Sequence, residues 1–366
     1  MQWSATACSR LSTFFEKAFA SRVKRRTAHP GQTHDSFALV NSLTGIAILL
    51  AIQDDGSLGV TPVPFRPWST LSPFPFMPLV NMKQMLAVAR RDGWAVAAFN
   101  PVDYASMKAI IQAAADLKAP VIIQTSAKTV KYYGHEPIVS WARELAGAVS
   151  VPVALHLDHG KDIKMLQRCI DTGWTAVMID ASDKPYEENI ALTREVLAMA
   201  AKKDVSVEAE LGEIGGVEED IVVAEENSHH AEADQALQFV REAPGLAVFA
   251  PAIGTAHGVY KKEPKIDWEA LTKISKGSSV PLALHGGTGL SDEILQRAIR
   301  LGCSKVNIST NLKHVFIDDF VDYYDNHSDE YEPIKVLEAQ FAGMKALVTE
   351  KIRQFGGAGR AGDIHN

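Results

Sequence analysis

Cysteine, positive charge and long apolar runs are all scarce in this chain, and each scarcity excludes a class of protein. Three cysteines in 366 residues (Cys8, Cys169 and Cys303) cannot build a disulfide framework and lack metal-motif spacing, which favours a reducing compartment. The net charge is -7, from 37 basic and 44 acidic residues, so we expect no nucleic-acid partner. The apolar run from Gly45 to Ile52 is much shorter than the roughly 20 residues that span a bilayer, so we expect no membrane partner.

The first 76 residues differ in composition from the rest, and we predict that they extend a folded domain over residues 77–366. Four basic residues fall between Arg22 and Arg26, and Glu16 is the only acid in the first 30 residues, a pattern that mitochondrial transit peptides share. No hydrophobic period persists, however, and a proline-rich stretch runs from Pro62 to Pro75. We therefore favour an unstructured extension, or a start site set too far upstream, over targeting, and we predict a cytoplasmic protein.

From Met77 onward one unit repeats: a short apolar strand, a polar loop and an amphipathic helix. The predicted strands are Trp94–Phe99, Pro120–Thr125, Val151–Leu157, Ala176–Ile179, Ser206–Leu211, Leu246–Ile253, Pro281–Leu284 and Lys305–Ile308. The predicted helices include Met82–Arg91, Tyr104–Leu117, Asp162–Thr172, Tyr186–Lys203 and Asp292–Leu301. Eight strands, each followed by a helix, predict an α/β fold, the (β/α)8 TIM barrel. A doubly wound open sheet is the alternative, but it requires a glycine-rich turn after the first strand, which this chain lacks.

Polar residues follow every predicted strand, where barrels of this kind place their catalytic groups. These residues are Asn100, Ser126, Asp158, His159, Asp180, Glu210, His257, His285 and the run from Asn307 to Thr310. Contact with solvent alone does not explain such regular placement. We therefore predict an active site at the C-terminal end of the barrel strands.

The stretch that ends at Gly160 joins an apolar strand to a cluster of acid and imidazole groups. Side chains alternate along a strand, so Ala154, His156 and Asp158 share one face. His159 then falls where Gly160 turns the strand into a loop. The alternative is a purely structural role, with the histidines bonded to the backbone.

The fifth predicted strand places Ser206, Glu208 and Glu210 on one face. If this face lines a closed barrel, two unpaired carboxylates would cost several kcal/mol, and a nearby cation or proton would relieve that cost. A solvated face is the alternative, although a closed barrel has no edge strand to provide one.

Three histidines, His159, His257 and His285, end the third, sixth and seventh strands or the loops just after them. Three imidazole ligands and one open position is an arrangement typical of catalytic zinc, whereas structural zinc is enclosed by four protein ligands. The residues therefore predict a catalytic Zn2+ site.

The last two strands predict a phosphate site. The sequence from Leu284 to Gly289 offers backbone N–H groups with little side-chain obstruction, and the run from Asn307 to Thr310 leads into a helix. Helix N-termini favour anions, and the loops after strands seven and eight of this architecture often bind phosphate.

Five motifs resemble those of class II, metal-dependent ketose-bisphosphate aldolases of the fructose- and tagatose-bisphosphate type. They are HLDHG at 156–160, EAELGEIGGVEED at 208–220, GTAHGVY at 254–260, LHGGTG at 284–289 and KVNIST at 305–310. The resemblance runs from Met82 to Ala361 and does not cover the N-terminal segment. It implies a lyase of carbohydrate metabolism and glycolysis that reversibly cleaves a ketose bisphosphate to dihydroxyacetone phosphate and an aldehyde.

The resemblance also implies the site residues. The three histidines bind the catalytic zinc, Asp180 and Glu210 match a second or alternative metal position, Asp158 is the acid/base, and Glu218 exchanges the donor proton. A further set matches a substrate-contacting serine and the positions around the donor phosphate and a monovalent cation, Na+ or K+. This set is Ser126, Gly258, Gly286, Gly287, Thr288, Asn307, Ser309 and Thr310.

The resemblance further implies a small phosphorylated sugar as the substrate and a homodimer or homotetramer. Some residues depart from the family pattern: Thr288 and Ser309 stand where many members have serine and aspartate. Between Ile334 and Gly343, where several members place a phosphate-binding arginine, Lys335 is the only basic residue. An aldolase for a related ketose 1-phosphate, which joins dihydroxyacetone phosphate to an unphosphorylated aldehyde, is therefore the alternative.

Three other functions stay open at this point. A Schiff-base aldolase would use a lysine such as Lys305, a hydrolase would use the same zinc, and a barrel without activity would serve in binding. EDTA and borohydride treatment separate the two aldolase types, and product analysis separates aldolase from hydrolase.

Overall fold

The computed structural model describes three strands between residues 36 and 64, and residues 79–218, 221–223, 230–258, 260 and 264–364. The chain divides into two compact units, Met1–Pro73 and Phe74–Asn366. The first unit contains an antiparallel sheet with its strands in the order β1 (Ser36–Asn41), β2 (Ile46–Ile52) and β3 (Leu58–Pro64). These strands were not among those predicted, and the interpretation of residues 1–76 as an extension stays a prediction.

The second unit is built around a closed barrel of eight parallel strands. In chain order they are β4 (Val96–Phe99), β5 (Val121–Ser126), β6 (Val153–Gly160), β7 (Ala176–Ile179), β8 (Ser206–Leu211), β9 (Val248–Pro251), β10 (Leu282–Leu284) and β11 (Cys303–Ile308). Each strand pairs with the next, and β11 closes the barrel by pairing with β4. The predicted (β/α)8 TIM barrel is confirmed.

Helices connect the strands on the outside of the barrel. They are α1 (Lys83–Asp92), α2 (Tyr104–Asp116), α3 (Ala127–Tyr133), α4 (His135–Gly147), α5 (Ile163–Thr172), α6 (Tyr186–Ala201), α7 (Ala233–Glu242), α8 (Trp268–Gly277), α9 (Asp292–Arg300), α10 (Thr310–Asn326) and α11 (Pro333–Gln354), followed by the 3-10 turn Arg360–Asp363. Several begin at a polar cap; the Asp103 carboxylate accepts the N–H of Ser106 at the start of α2. Within the described ranges, every helix is too short or too polar to cross a membrane.

The N-terminal end of the barrel is closed by apolar side chains. Met85 and Leu86 of α1 are wholly buried against inward-facing residues such as Ala154, while the Met82 N–H donates to the Ser206 hydroxyl at 2.9 Å. Each fully buried side chain of this size contributes about 1.5–3 kcal/mol to stability. Because this end is filled, the polar residues of the strands collect at the opposite, C-terminal end.

Strand β6 contains an irregularity that the sequence did not predict. The strand was expected to end before His159, but it continues to Gly160, and its pairing with β7 shifts register between Leu157 and Gly160. His159 takes a left-handed backbone conformation with φ +47°. An extra residue in a strand produces such a bulge and changes the direction of the side chains that follow.

Candidate metal centre

The three predicted histidine ligands meet at the C-terminal mouth of the barrel. The ring centroid of His159 lies 5.0 Å from that of His257 and 4.8 Å from that of His285. His159 Nε2 and His285 Nδ1 are 3.0 Å apart, and one nitrogen from each of the three rings lies within 4.8 Å of the others. All three residues are buried. The structure thus brings together three imidazoles from distant parts of the chain.

Local backbone geometry positions each ring. His159 lies at the β6 bulge, and His285 follows directly after β10. His257 lies on the short strand Ala256–His257, which pairs with Gly215 and Gly216. A Cβ atom on Gly216 would lie 2.1 Å from the carbonyl oxygen of His257, so only glycine permits this approach.

Two buried carboxylates determine which nitrogen of each ring carries a proton. Asp180 Oδ2 accepts from Nδ1 of His159 at 2.8 Å, and Glu208 Oε1 accepts from Nε2 of His285 at 2.8 Å. The other nitrogens, His159 Nε2 and His285 Nδ1, therefore face the centre of the cluster, where their lone pairs would bind a cation in place of a proton. His159 and His285 are thus each bonded to a buried carboxylate.

A divalent cation fits this set of donors. Three converging imidazoles, two of them held by a carboxylate behind the ring, form the usual surroundings of a zinc ion. Glu210 Oε2 is buried 3.7 Å from His285 Nδ1 and has no hydrogen-bond partner among the described residues. A second group of possible ligands consists of His159, Asp180 and Glu210, also within 4.8 Å of one another.

The electrostatics of the cluster favour added positive charge. Burial alone would lower the pKa of His159, but Asp158 and Asp180 outweigh it and raise that pKa well above its ordinary value. Burial and the neighbouring Asp180 raise the pKa of Glu210 well above its usual range. The pKa of Asp180 is lowered, despite burial, because His159 bonds to it. Protons are thus drawn to a place where a cation would also bind.

An ion pair lies beneath the histidines inside the barrel. Glu208 and Lys305 are wholly buried, with Lys305 Nζ 2.9 Å from Glu208 Oε2. Burial alone would raise the pKa of Glu208. The charge of Lys305 and the hydrogen bond from His285 outweigh that effect, so the pKa of Glu208 lies well below its usual range. The expectation that Glu208 and Glu210 face the closed barrel interior is confirmed, because both lie close to His285 and Glu208 also contacts Lys305. Both are buried, so the solvated alternative is wrong. The cation that relieves the cost at Glu208 is Lys305.

His156 shares this buried level with the ion pair. Burial, together with the charge of Lys305, lowers the pKa of His156 to about 3, so the ring is neutral. Its Nε2 atom lies 3.4 Å from Glu208 Oε2. The predicted common face of Ala154, His156 and Asp158 is confirmed as the interior face of β6. Ala154 belongs to the cluster that closes the barrel, His156 lies near Glu208, and Asp158 accepts from Asn100 at the end of β4.

Side-chain amides surround the Asp158 carboxylate. Asn100 Nδ2 and Gln124 Nε2 donate to Asp158 Oδ2 at 2.9 and 3.1 Å. Asn307 Nδ2 lies 3.5 Å from Asp158 Oδ1, while Asn307 Oδ1 accepts from Lys305 Nζ at 2.7 Å. The ammonium of Lys305 thereby fixes the orientation of the Asn307 amide. These donors hold the carboxylate in one position beside His159.

Sequence reasoning missed Gln124 and the link from Lys305 to Asn307. Gln124 pairs in register with His156 on the neighbouring strand, so it occupies an inward position on β5. The alternation of Ile122, Gln124 and Ser126 along that strand was the signal that could have identified it. No sequence pattern indicates which of several inward polar groups bond to one another.

The predicted phosphate residues lie around the ends of β10 and β11. A Cβ atom on Gly287 would lie 2.8 Å from the carbonyl oxygen of Asn307, which brings the two strand ends close together. Ser309 is the first residue before α10, and its buried hydroxyl has no hydrogen-bond partner within the described ranges. Thr310 begins that helix, and Thr288, the residue after Gly287, is buried. Backbone N–H groups at a helix start favour an anion.

The remaining predicted residues are more scattered. Ser126 ends β5, pairs in register with Asp158, and accepts the Thr129 N–H at the start of α3. Gly258 follows His257 with φ +91°. The predicted role of the Glu218 side chain lies outside the described part of the structure.

Comparison with known proteins assigns the family. Residues 80–360 match the family profile described as fructose-bisphosphate aldolase class-II. The chain is 39% identical over 282 residues to the D-tagatose-1,6-bisphosphate aldolase subunit GatY of Klebsiella oxytoca, covering 77% of this chain and 99% of that protein. It is 40% identical over 288 residues to a fructose-bisphosphate aldolase of Geobacillus stearothermophilus, covering 78% and 99%.

A solved structure supports the same assignment. The crystal structure of the YdjI aldolase from Escherichia coli K12 aligns with a TM-score of 0.68 and 31% identity, covering 77% of this chain and 99% of that one. The resemblance inferred from five short motifs is therefore confirmed. This chain belongs to the class II fructose-bisphosphate aldolase family and is an enzyme of the lyase class.

Proposed function

We propose that the protein is a zinc-dependent aldolase that reversibly cleaves a fructose- or tagatose-type ketose 1,6-bisphosphate to dihydroxyacetone phosphate and an aldehyde. The observation that carries the proposal is the convergence of three histidines beside Asp158 at the mouth of the barrel. His159, His257 and His285 would hold the zinc ion. When bound, zinc supplies a Lewis acid that polarises the substrate carbonyl and accommodates charge on the carbon next to it.

Asp158 is the proposed acid/base. In the cleavage direction its carboxylate accepts the proton of the hydroxyl group whose carbon becomes the aldehyde, and the electrons of the breaking C–C bond remain on the donor carbon. The amides of Asn100, Gln124 and Asn307 orient the carboxylate of Asp158. All three donate hydrogen bonds to it, so the carboxylate stays able to accept a proton from the substrate. Glu218 is proposed to return a proton to the donor carbon.

The donor phosphate is proposed to bind at the ends of β10 and β11. Backbone N–H groups of Gly286, Gly287 and Thr288 would face it on one side, and those at Ser309 and Thr310 on the other. The N-terminal partial charge of α10 stabilises a phosphate there. A monovalent cation at this end and a second metal position at Asp180 and Glu210 remain part of the proposal.

A homo-oligomer is also proposed. Four large apolar residues of α10 recur at helical spacing yet are about half exposed: Ile317, Phe320, Val321 and Tyr324. Exposed apolar stripes of this kind are typical of surfaces that pack against another helix. Sedimentation of the purified protein distinguishes a dimer or tetramer from a monomer.

The alternative substrate is a ketose 1-phosphate whose aldehyde half carries no phosphate. Lys335, the only basic residue in the segment where relatives place a phosphate-binding arginine, is half exposed and already paired with Glu330. A lysine also lacks the bidentate fork with which arginine holds a phosphate.

Product analysis tests the proposal. The protein is incubated with fructose 1,6-bisphosphate, with tagatose 1,6-bisphosphate and with a ketose 1-phosphate, each with and without EDTA. The expected product is dihydroxyacetone phosphate, formed only without EDTA and unaffected by borohydride. Release of inorganic phosphate instead would indicate a hydrolase, and inactivation by borohydride with substrate would indicate Schiff-base chemistry.

A further inference from the structure

The hydroxyl of Tyr260 joins two segments of backbone at the barrel mouth. It accepts the N–H of Ala256 at 2.9 Å and donates to the carbonyl oxygen of Gly286 at 2.8 Å. Ala256 directly precedes His257, and Gly286 directly follows His285. One hydroxyl group therefore connects the neighbours of two proposed zinc ligands.

The two segments approach more closely than ordinary residues allow. A Cβ atom on Gly286 would lie 2.3 Å from the carbonyl oxygen of Ala256, and the backbone of Gly286 has φ +66°. Glycine removes the steric barrier, but it contributes no attraction between the segments. The hydroxyl supplies that attraction through two hydrogen bonds, each worth about 0.5–1.5 kcal/mol in net stability.

The phenol remains a hydrogen-bond donor at physiological pH. Burial raises the pKa of Tyr260 to about 12, so its proton stays on the oxygen. The ring is partly buried and packs against the hydrophobic core, which limits the positions that the hydroxyl can take. The bridge thus consists of a packed ring whose hydroxyl accepts one hydrogen bond and donates another.

We infer that Tyr260 is a positioning residue of the metal centre. Its hydroxyl sets the spacing of His257 and His285 before the metal binds. This inference rests on the proposed function, in which both histidines hold zinc. Its hydroxyl touches neither imidazole, so it acts through the backbone on each side. Groups that hydrogen-bond directly to metal ligands commonly change metal affinity by about 10–100-fold when they are replaced, and a bridge between the two ligand backbones is expected to act at the lower end of that range.

The test is Tyr260→Phe, which keeps the ring and removes only the hydroxyl. The dissociation constant for Zn2+, measured by competition with a chromogenic chelator, is expected to rise about tenfold or more. The visible absorption spectrum of the Co2+-substituted variant is expected to change, because the angle between the two imidazoles is less constrained. At saturating metal, kcat should fall more than KM rises.

The matched control is Tyr104→Phe. The Tyr104 hydroxyl donates to Glu144 at 3.0 Å, so this variant also loses one tyrosine hydroxyl bond, but neither partner adjoins a proposed ligand. Its zinc affinity and Co2+ spectrum should match those of the unaltered protein. A general effect of losing a tyrosine hydroxyl would appear in both variants.

Hydrogen exchange of the unaltered, metal-free protein provides an independent measurement if Tyr260→Phe does not fold. The Ala256 amide should exchange slowly, since the bridge is expected to form without metal. Rapid exchange of that amide, or unchanged zinc affinity and Co2+ spectrum in a folded Tyr260→Phe variant, would overturn the inference. Absence of zinc binding by the unaltered protein would instead refute the proposed function and leave the amide measurement to decide on the bridge.

Discussion

The ammonium of Lys305 lies 2.9 Å from the carboxylate of Glu208, and both side chains are wholly buried in the barrel. The other oxygen of Glu208 accepts the proton of the His285 ring at 2.8 Å. Lys305 is therefore a counter-ion to a carboxylate that orients a proposed zinc ligand. Because its nitrogen is protonated and paired with a carboxylate, Lys305 has no free electron pair with which to attack a carbonyl. The position of Lys305 therefore gives no support to the Schiff-base alternative.

Lys305→Met should destabilise the protein strongly. It leaves the Glu208 carboxylate buried without its partner, and breaking a buried pair in this way costs about 3–5 kcal/mol. Urea unfolding of the metal-free protein measures the change. The control is Lys83→Met, which breaks an exposed pair with Asp204 and should cost no more than about 1 kcal/mol. Equal, small losses in both variants would show that the buried pair has no special role.

Asp158→Asn should keep the fold and the zinc but lose cleavage. An amide cannot accept the hydroxyl proton, and general acid–base groups contribute about 10²–10⁴-fold to rate. Metal content and the rate of dihydroxyacetone phosphate formation are measured on the same preparation. Exchange of the donor proton should persist if Glu218 performs it. Cleavage at an unchanged rate would remove Asp158 from the mechanism.

The enzyme should depend strictly on dihydroxyacetone phosphate but tolerate aldehydes without a phosphate group. The chain lacks an arginine where relatives bind the phosphate of the aldehyde half. The loss of such a charged contact costs roughly 1.5–3 kcal/mol, or about ten- to a hundredfold in kcat/KM. The measurement compares kcat/KM for glyceraldehyde 3-phosphate with that for unphosphorylated aldehydes in the condensation direction. A preference of about a thousandfold for the phosphorylated aldehyde would point to a basic group outside this account.

Removal of residues 1–76 should leave an active barrel. The truncation keeps Val80, whose N–H donates to the Val153 carbonyl at 2.9 Å, and Met82, which is wholly buried. Activity and thermal stability of the shortened and full-length proteins are compared. Loss of expression or activity only on truncation would place the domain boundary earlier in the chain.

The sequence predicted the barrel and its strands because hydrophobic alternation and chain length determine them. Each predicted strand occurs, and the ends agree within two residues except at the end of β6. The three histidines and Asp158 could also be predicted, since the C-terminal ends of barrel strands are a defined place. That reasoning identifies a position in the fold without requiring any knowledge of side-chain contacts.

Long-range details could not be predicted in the same way. The left-handed conformation of His159 depends on how β6 pairs with β7, which are joined by 15 intervening residues. The bond from Glu208 to His285 and the pairing of Glu208 with Lys305 depend on the diameter and shear of the barrel. Alternation places each of these groups inside, but only the closed structure determines which of them meet.

Metal titration of the stripped enzyme tests the central claim most directly. The protein is freed of metal with EDTA, and cleavage of fructose and tagatose 1,6-bisphosphates is followed as Zn2+ is added. Activity should be absent at first and return in proportion to zinc, reaching its plateau near one ion per chain, whereas His257→Ala should neither retain the ion nor recover. Full cleavage by the stripped protein, or normal zinc content and turnover in His257→Ala, would contradict the account.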